Sequence, residues 1–153
     1  MSINVISEIG INHNGSVNSA KKLIDVAVIA GCDYIKFQKR NPDLCVPEHQ
    51  KSKPKNTPWG EMTYLDYKKR IEFDFEQYFE IDSYCKQKGI KWFNSVWDED
   101  SVDFMRNFES GIMKIPSALI TNHELCKYAR RSCEKLIIST GMSNEQEIEA
   151  CVN

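Results

Sequence analysis

The sequence has 153 residues, of which 41% are hydrophobic and 27% are charged, a balance typical of one globular domain and not of a disordered or fibrous chain. Lys and Arg number 20 against 22 for Asp and Glu, which gives a net charge of -2 and no global positive field for nucleic acid or an anionic membrane. Any anionic ligand must therefore be held by local groups.

The N-terminal segment predicts a strand, a polar turn and a helix. Residues 4–9 are apolar and β-branched, and residues 16–30 carry apolar side chains at helical spacing before Gly31, a typical helix stop. The segment YIKF at 34–37 then predicts a second strand. No basic segment precedes a long apolar one, and no apolar run approaches the length of a membrane span, so we predict a cytoplasmic location.

An irregular segment follows before the strand–helix pattern returns. Between Arg40 and about Tyr67 the periodicity is lost and four prolines occur, so we expect a long functional loop. Beyond it, apolar spacing predicts helices at 75–88, 98–107, 122–129 and 144–152, and strands at 90–94, 112–115 and 136–139.

Five strand–helix units in series predict an α/β fold with a parallel sheet covered by helices, since parallel neighbours need crossover connections. Two architectures satisfy this order. A doubly wound open sheet fits the length, whereas a (β/α)8 barrel needs about 250 residues and would be only partly present. No GxGxxG motif of a dinucleotide site follows the first strand, and periodicity alone leaves both architectures open.

Polar side chains cluster at the predicted carboxyl ends of the strands, where ligands bind in both architectures. Lys36 and Lys114 lie within apolar strands, and buried lysines are rare unless they are paired. The other groups at these exits are one carboxylate and several hydroxyls and amides: Glu8, Gln38, Asn94, Ser95, Ser117, Ser139 and Thr140. Such a set suits a small phosphorylated or carboxylated anion beside a proton-moving group. The three histidines lack the spacing of a metal pair, so no metal site is predicted within this chain.

Four ordered motifs resemble the N-acetylneuraminate (sialic acid) synthase family: EIGINHNG at 8–15, KFQ at 36–38, KIPSALITN at 114–122 and STGMS at 139–143. The segment PWGEMTYLDYKKRIEF at 58–73 resembles the branch of that family found in bacterial surface-sugar and spore-coat polysaccharide pathways. The resemblance covers nearly the whole chain. It implies a (β/α)8 TIM-type barrel, present here as about the first five strand–helix units.

The resemblance also implies a reaction. Members of the family condense phosphoenolpyruvate with an N-acetylated amino sugar, such as N-acetylmannosamine, to give a nine-carbon 2-keto acid and phosphate. Mn²⁺ or Mg²⁺ activates the sugar aldehyde, C3 of phosphoenolpyruvate attacks it, and water adds at C2 before the C–O bond to phosphate breaks. Full-length members are homodimers, and no nucleic acid or membrane partner is expected.

Position by position, the resemblance assigns roles to eight residues. Gln38 and Asn56 look like contacts to the sugar. Glu8 matches an essential glutamate that holds or deprotonates water or a sugar hydroxyl. Ser95 stands where many members have threonine and keeps the hydroxyl. Contacts to phosphoenolpyruvate are expected from Lys36, Ser95, Lys114, Ser117 and Ser139.

We expect residues 1–153 to be the N-terminal portion of a synthase barrel that is incomplete alone, with open sheet edges. The metal ligands and a small antifreeze-like domain are expected in a C-terminal part. Two alternatives stay open: a Schiff-base aldolase or sialate lyase with Lys36 or Lys114 as the amine nucleophile, and a non-catalytic fragment that assembles through its edges. The acceptor is N-acetylmannosamine, its 6-phosphate or a diacetamido-dideoxy sugar.

Overall fold

A five-stranded parallel sheet forms the centre of the protein. The computed structural model describes residues 3–152. The strands of the sheet are β1 (Ile6–Gly10), β2 (Tyr34–Lys39), β5 (Lys91–Val96), β6 (Ile112–Ile115) and β7 (Lys135–Ile138), while β3 (Pro54–Thr57) and β4 (Gly60–Thr63) form a separate antiparallel hairpin. Neighbours in the sheet are all parallel and stand in the order β1-β2-β5-β6-β7. Their order in space is therefore their order along the chain.

Helices make the connections between these strands. They are α1 (Val17–Ile29), α2 (Pro42–Cys45), α3 (Glu48–Lys51), α4 (Tyr64–Ile71), α5 (Phe75–Lys88), α6 (Glu99–Met105), α7 (His123–Arg131) and α8 (Glu145–Val152). A side-chain oxygen caps the first turn of most of the long helices, as Ser16 does for α1 and Asp98 for α6. Helix α5 begins with a capping box of Asp74 and Gln77 and ends at Gly89 in a left-handed conformation. These local signals explain why the predicted helix positions are confirmed to within a few residues.

The hydrophobic core lies between one face of the sheet and helices α1, α5, α6 and α7. Phe37 and Trp92 of adjacent strands pack edge to face, and both contact Tyr78 of α5. Asn94 points to this same side, where its amide reaches the sulfur of Met105 at 3.0 Å. Alternate residues on the same strands consequently point to the opposite face, away from these helices.

The strand order distinguishes between the two predicted architectures. In a doubly wound sheet the order reverses part-way, which places helices on both faces. Here each crossover leads to the next position in the same direction, and because such crossovers are right-handed, the helices gather on one face. The described residues therefore form a singly wound sheet with one face free of helices.

The prediction of a long loop without regular structure between Arg40 and about Tyr67 is wrong. The segment contains α2, α3, the β3–β4 hairpin and the start of α4. Helices of four residues are too short to show periodicity, and the hairpin strands pair only with each other, so neither leaves an apolar repeat in the sequence.

Candidate active site

An ionic cluster of three residues lies on the helix-free face of the sheet. Glu8 of β1 is the register partner of Lys36 on β2, and the Lys36 Nζ lies 2.6 Å from the Glu8 Oε2. The Lys114 Nζ of β6 donates to the Glu8 Oε1 at 3.1 Å. One carboxylate is thus shared by two ammonium groups, which leaves a surplus positive charge at this face.

The contact between Glu8 and Lys114 shows that the sheet is curved. Strands β1 and β6 are separated by β2 and β5, so three spacings of about 4.8 Å would place them about 14 Å apart in a flat sheet. Side chains stand roughly perpendicular to a sheet and would not meet over that distance. The face that carries the cluster is therefore concave.

Burial and the charge of the oppositely charged partner act in opposite directions on the pKa values of Glu8 and Lys36. Partial burial acts to raise the pKa of Glu8, but hydrogen bonds and charges from Lys36 and Lys114 outweigh it and lower the pKa. The side chain of Lys36 is only 2% exposed, and this burial lowers its pKa although Glu8 acts to raise it. The cluster holds its charges through mutual pairing, so an anionic ligand would compete with Glu8 for both lysines.

Two further predicted residues lie on the same face by strand register. Ser95 of β5 stands between Gln38 on β2 and Lys114 on β6, and its side chain is buried. Gln38 is two residues beyond Lys36 and shares its face. The structure thus brings Glu8, Lys36, Gln38, Ser95 and Lys114 together.

The remaining three predicted residues lie farther from the cluster. Ser139 follows β7, where its backbone N–H donates to Ile115 at 3.1 Å. Ser117 begins a 3-10 turn after β6, and a Cβ on Gly141 would lie 3.6 Å from its hydroxyl, so the two strand exits adjoin. Asn56 is exposed on the hairpin, and within residues 3–152 no hydrogen bond joins its side chain to the cluster.

Sequence reasoning missed a second buried ion pair above the cluster. The Arg40 Nε lies 2.6 Å from the Glu72 Oε1, and the two side chains are 5% and 9% exposed. The guanidinium also stacks over the ring of Trp97 at 4.8 Å and donates from Nη2 to the Gln38 Oε1 at 2.5 Å. The available signal was the alternation of Lys36, Gln38 and Arg40, which places all three on one face of an extended chain.

A cavity of about 750 Å³ opens beside Arg40. Its walls come from α2, α3, α4 and the segments that follow β5 and β6, and they include Gln50, Lys68, Trp97 and Asn122. Burial and the nearby charge of Arg40 lower the pKa of Lys68 to about 8. The cavity has the size and mixed lining of a small-molecule site, and Arg40 connects it to Gln38.

The polar loop that follows β1 contains a buried histidine. The ring of His13 stacks on Phe73 with centroids 4.0 Å apart, and its Nδ1 accepts the backbone N–H of Gly15 at 3.1 Å. Burial lowers the pKa of His13 to about 4, against a hydrogen bond with Gly10 that acts to raise it. His13 is thus a neutral structural residue that holds the loop behind Glu8.

Within residues 3–152, no group of three or more His, Cys, Asp or Glu side chains could hold a metal ion. The described residues therefore do not fit a Mn²⁺ or Mg²⁺ site. In the same part of the chain, none of the helices combines the length and apolar character needed to cross a membrane.

The NeuB family pattern matches residues 23–153, most of the chain and four of the five strands of the sheet. This chain belongs to the NeuB family. It is 35% identical over 151 residues to the N,N'-diacetyllegionaminic acid synthase of Campylobacter jejuni, a match that covers 97% of this chain and 45% of that protein. It is also 35% identical over 153 residues to the N-acetylneuraminate-9-phosphate synthase of Drosophila melanogaster, covering 99% of this chain and 41% of that protein.

Solved structures of related proteins share the fold of this NeuB-family chain. The N-acetylneuraminic acid (sialic acid) synthetase of Leptospira borgpetersenii superposes with a TM-score of 0.86 at 27% identity, covering 99% of this chain and 49% of that one. The spore coat polysaccharide biosynthesis protein SpsE of Bacillus subtilis gives a TM-score of 0.77 at 28% identity, covering 97% and 39%. The chain thus spans less than half the length of the relatives that it matches. The predicted sialic acid synthase resemblance is confirmed.

Proposed function

We propose that the protein condenses phosphoenolpyruvate with an N-acetylated amino sugar, forming a nine-carbon 2-keto acid of the sialic acid type and releasing phosphate. The observation that carries this proposal is the Glu8 carboxylate between Lys36 and Lys114 on the concave face of the sheet. Two lysines that share one carboxylate suit a ligand with both a carboxylate and a phosphate. The names of the relatives, which specify sialic-acid-type products, support the product class.

We further propose that the sheet is the first part of a (β/α)8 barrel and that residues 1–153 are the N-terminal portion of a synthase. The one-directional strand order, the helices on a single face and the concave opposite face support a barrel. The carboxyl ends of the strands are the catalytic face of such barrels. The cluster lies within β1, β2 and β6, and Gln38 and Ser95 follow it toward those ends.

In the proposed reaction, C3 of phosphoenolpyruvate bonds to the aldehyde carbon of the sugar, whose oxygen takes a proton. Water adds at C2, and phosphate leaves with the bridging oxygen. Because Glu8 contacts both lysines, it lies beside any anion that they bind, and we place the attacking water next to it. As the lysines turn to the ligand, Glu8 loses the two cations that lower its pKa and becomes a better proton acceptor.

Ser95 would add a hydroxyl donor between the two lysines, and Ser117 and Ser139 would add donors at the neighbouring strand exits. Gln38 and Asn56 are proposed contacts to the sugar. We place the ligands of Mn²⁺ or Mg²⁺ outside residues 3–152, so the chemistry assigned to this chain rests on its own side chains. The homodimeric state and the cytoplasmic location stay predictions.

The test is a condensation assay on the full-length synthase of which residues 1–153 are the proposed N-terminal portion. It uses phosphoenolpyruvate, Mn²⁺ and three acceptors: N-acetylmannosamine, its 6-phosphate and a diacetamido-dideoxy sugar. We expect phosphate and 2-keto acid in equal amounts with one of them. Lys114→Met should raise the KM for phosphoenolpyruvate about tenfold or more, since a charge-assisted bond to the anion is lost. Lys127→Met, which removes only an exposed pair with Glu124, is the matched control and should leave that KM unchanged.

Glu8→Gln separates binding from chemistry. It removes the carboxylate that competes for the lysines, so binding of phosphoenolpyruvate should not weaken, while kcat should fall by about 100-fold or more because the proton acceptor is lost. A Glu8→Gln protein with normal kcat would contradict the assigned role.

The burial that lowers the pKa of Lys36 favours the Schiff-base aldolase as a second candidate, because a lysine with a lowered pKa is a better nucleophile. Borohydride treatment with pyruvate, followed by mass spectrometry, distinguishes the two functions. We expect no adduct, since the Lys36 ammonium is paired with Glu8 at 2.6 Å; a reduced pyruvyl adduct on Lys36 or Lys114 would favour the aldolase.

A further inference from the structure

The side chain of Gln38 is held by Arg40, a residue to which the proposed function assigns no role. The Nη2 of Arg40 reaches the side-chain oxygen of Gln38. A guanidinium has five N–H donors and no acceptor, so the Gln38 atom that faces it must be Oε1 and cannot be the amide nitrogen. The orientation of this amide, often ambiguous in proteins, is therefore determined by its partner.

Arg40 itself has little freedom to move. The Glu72 Oε2 accepts the Arg40 backbone N–H at 3.3 Å, and the Glu72 Oε1 forms an ion pair with the Arg40 Nε at 2.6 Å. The ring of Trp97 covers the guanidinium, and both members of the ion pair are buried. Paired, hydrogen-bonded and stacked, Arg40 is a rigid support for the amide of Gln38.

The backbone of Gln38 is fixed as well. Its carbonyl oxygen accepts the hydroxyl of Tyr78 at 2.8 Å, from the helix side of the sheet. With backbone and Oε1 both held, the Nε2 group points toward the end of β1, where a Cβ on Gly10 would lie 3.6 Å away. No protein acceptor for Nε2 occurs within residues 3–152.

We propose that Arg40, anchored by Glu72, is a positioning residue that fixes Gln38 as an obligate hydrogen-bond donor to an oxygen of the acceptor sugar. The inference rests on the proposed function for the identity of the ligand. The proposal also gives the direction of the hydrogen bond. Gln38 donates from Nε2, and a carbonyl or hydroxyl oxygen of the sugar accepts.

The first experiment tests the fixed orientation without any ligand. Removing Arg40 alone would leave Glu72 buried and unpaired, which is strongly destabilising, whereas replacing both members of a buried pair by apolar residues is often tolerated. The variant is therefore Arg40→Met with Glu72→Met. In the ¹⁵N-labelled intact protein, we expect the order parameter of the Gln38 side-chain amide to fall from a rigid value to below about 0.6 in this variant. An unchanged order parameter would overturn the inference.

The second experiment uses steady-state kinetics to test what the orientation does. In the same double variant, the KM for the sugar should rise about tenfold, while the KM for phosphoenolpyruvate stays within about twofold, as expected for one lost neutral hydrogen bond. Arg40→Lys keeps a donor toward Gln38 and should restore part of the sugar affinity. Lys69→Gln, which removes an exposed pair with Asp43, is the control. A uniform rise in both KM values would indicate a merely structural role.

Gln38→Glu decides the direction of the hydrogen bond. The carboxylate keeps the contact to Arg40 but has no N–H group, so it should raise the sugar KM as much as Gln38→Ala does. A Gln38→Glu protein with normal sugar KM would show that Gln38 accepts from the sugar and would overturn the inference. If the wild-type protein condenses no amino sugar, the proposed function fails, while the order parameter still decides the orientation of Gln38.

Discussion

At the scale of single residues, two ionic groups lie near each other and differ in exposure: the cluster around Glu8 and the pair of Arg40 and Glu72. The cluster of Glu8, Lys36 and Lys114 is open on one side, since Glu8 is 57% exposed, and its charges can exchange partners with a ligand. The pair of Arg40 and Glu72 is closed, buried and hydrogen-bonded. An open cluster suits binding and proton transfer, whereas a closed pair suits positioning.

His13 gives a prediction for the pH dependence of stability. Its pKa is about 4 in the folded protein, lowered by burial from an ordinary value of 6.5. Between these values the unfolded chain binds the proton and the folded protein does not, so stability is complete above about pH 6.5 and falls as the pH drops. From pH 7 to 5 the loss should be about 2 kcal/mol.

The measurement is the free energy of unfolding in urea at pH 7 and pH 5, for the wild type and His13→Gln. Glutamine keeps a side-chain acceptor near Gly15 but does not titrate. We expect the wild type to lose about 2 kcal/mol more than the variant over this range. Equal losses in the two proteins would show that His13 is not held neutral by burial.

The site residues differ in how readily the sequence reveals them. Lys36 and Lys114 interrupt apolar strands, and each interruption is visible within four letters. The burial of Arg40 depends on Glu72, which lies 32 residues away, and on Trp97 beyond it. The alternation of Lys36, Gln38 and Arg40 indicates only that they share a face. A partner supplied by a distant element leaves no local pattern, so the burial of Arg40 could not be predicted.

At the scale of elements, the polar loop after β1 packs against the C-terminal end of α4. Gly15 has φ +72°, and a Cβ there would lie 2.4 Å from the carbonyl oxygen of Arg70. The loop backbone thus rests directly on the last turn of α4. This contact, with the stacking of His13 on Phe73, ties the segment behind Glu8 to the segment that supplies Glu72.

Gly15→Ala tests this contact, with Gly31→Ala as a matched control. Gly31 has nearly the same φ of +73°, but nothing lies within 4 Å of its missing Cβ. Gly31→Ala should lower the free energy of unfolding by about 1 kcal/mol, from backbone strain alone. Gly15→Ala should cost about 3 kcal/mol, because backbone atoms must also move apart. Equal costs would mean that the loop does not need this close approach.

Helices and strands also differ in how well the sequence predicts them, because some depend on contacts that are distant in sequence. Helices α1, α5 and α7 carry their own caps and apolar spacing, so their positions are predictable. The hairpin and the short helices after β2 pack against α4 and are too short to show an apolar repeat. Tertiary contacts of this kind override weak local preferences.

At the scale of the whole molecule, topology rather than periodicity decides the architecture. Strand–helix alternation is common to open sheets and barrels, and the pairing of β1, β2, β5, β6 and β7 in chain order excludes a doubly wound sheet. The sheet is also curved, which brings Glu8 on an edge strand to Lys114 three strands away. The candidate site is therefore a product of the curvature.

The proposed reaction breaks the C–O bond of phosphoenolpyruvate at C2. The most direct measurement uses phosphoenolpyruvate labelled with ¹⁸O at the bridging oxygen, the intact protein, Mn²⁺ and the acceptor sugar, with mass spectrometry of both products. Because water adds at C2 before phosphate leaves, we predict that the label appears in phosphate and that the new 2-keto acid carries none from the bridge. Label retained in the keto product, or phosphate release that does not require the sugar, would contradict the account.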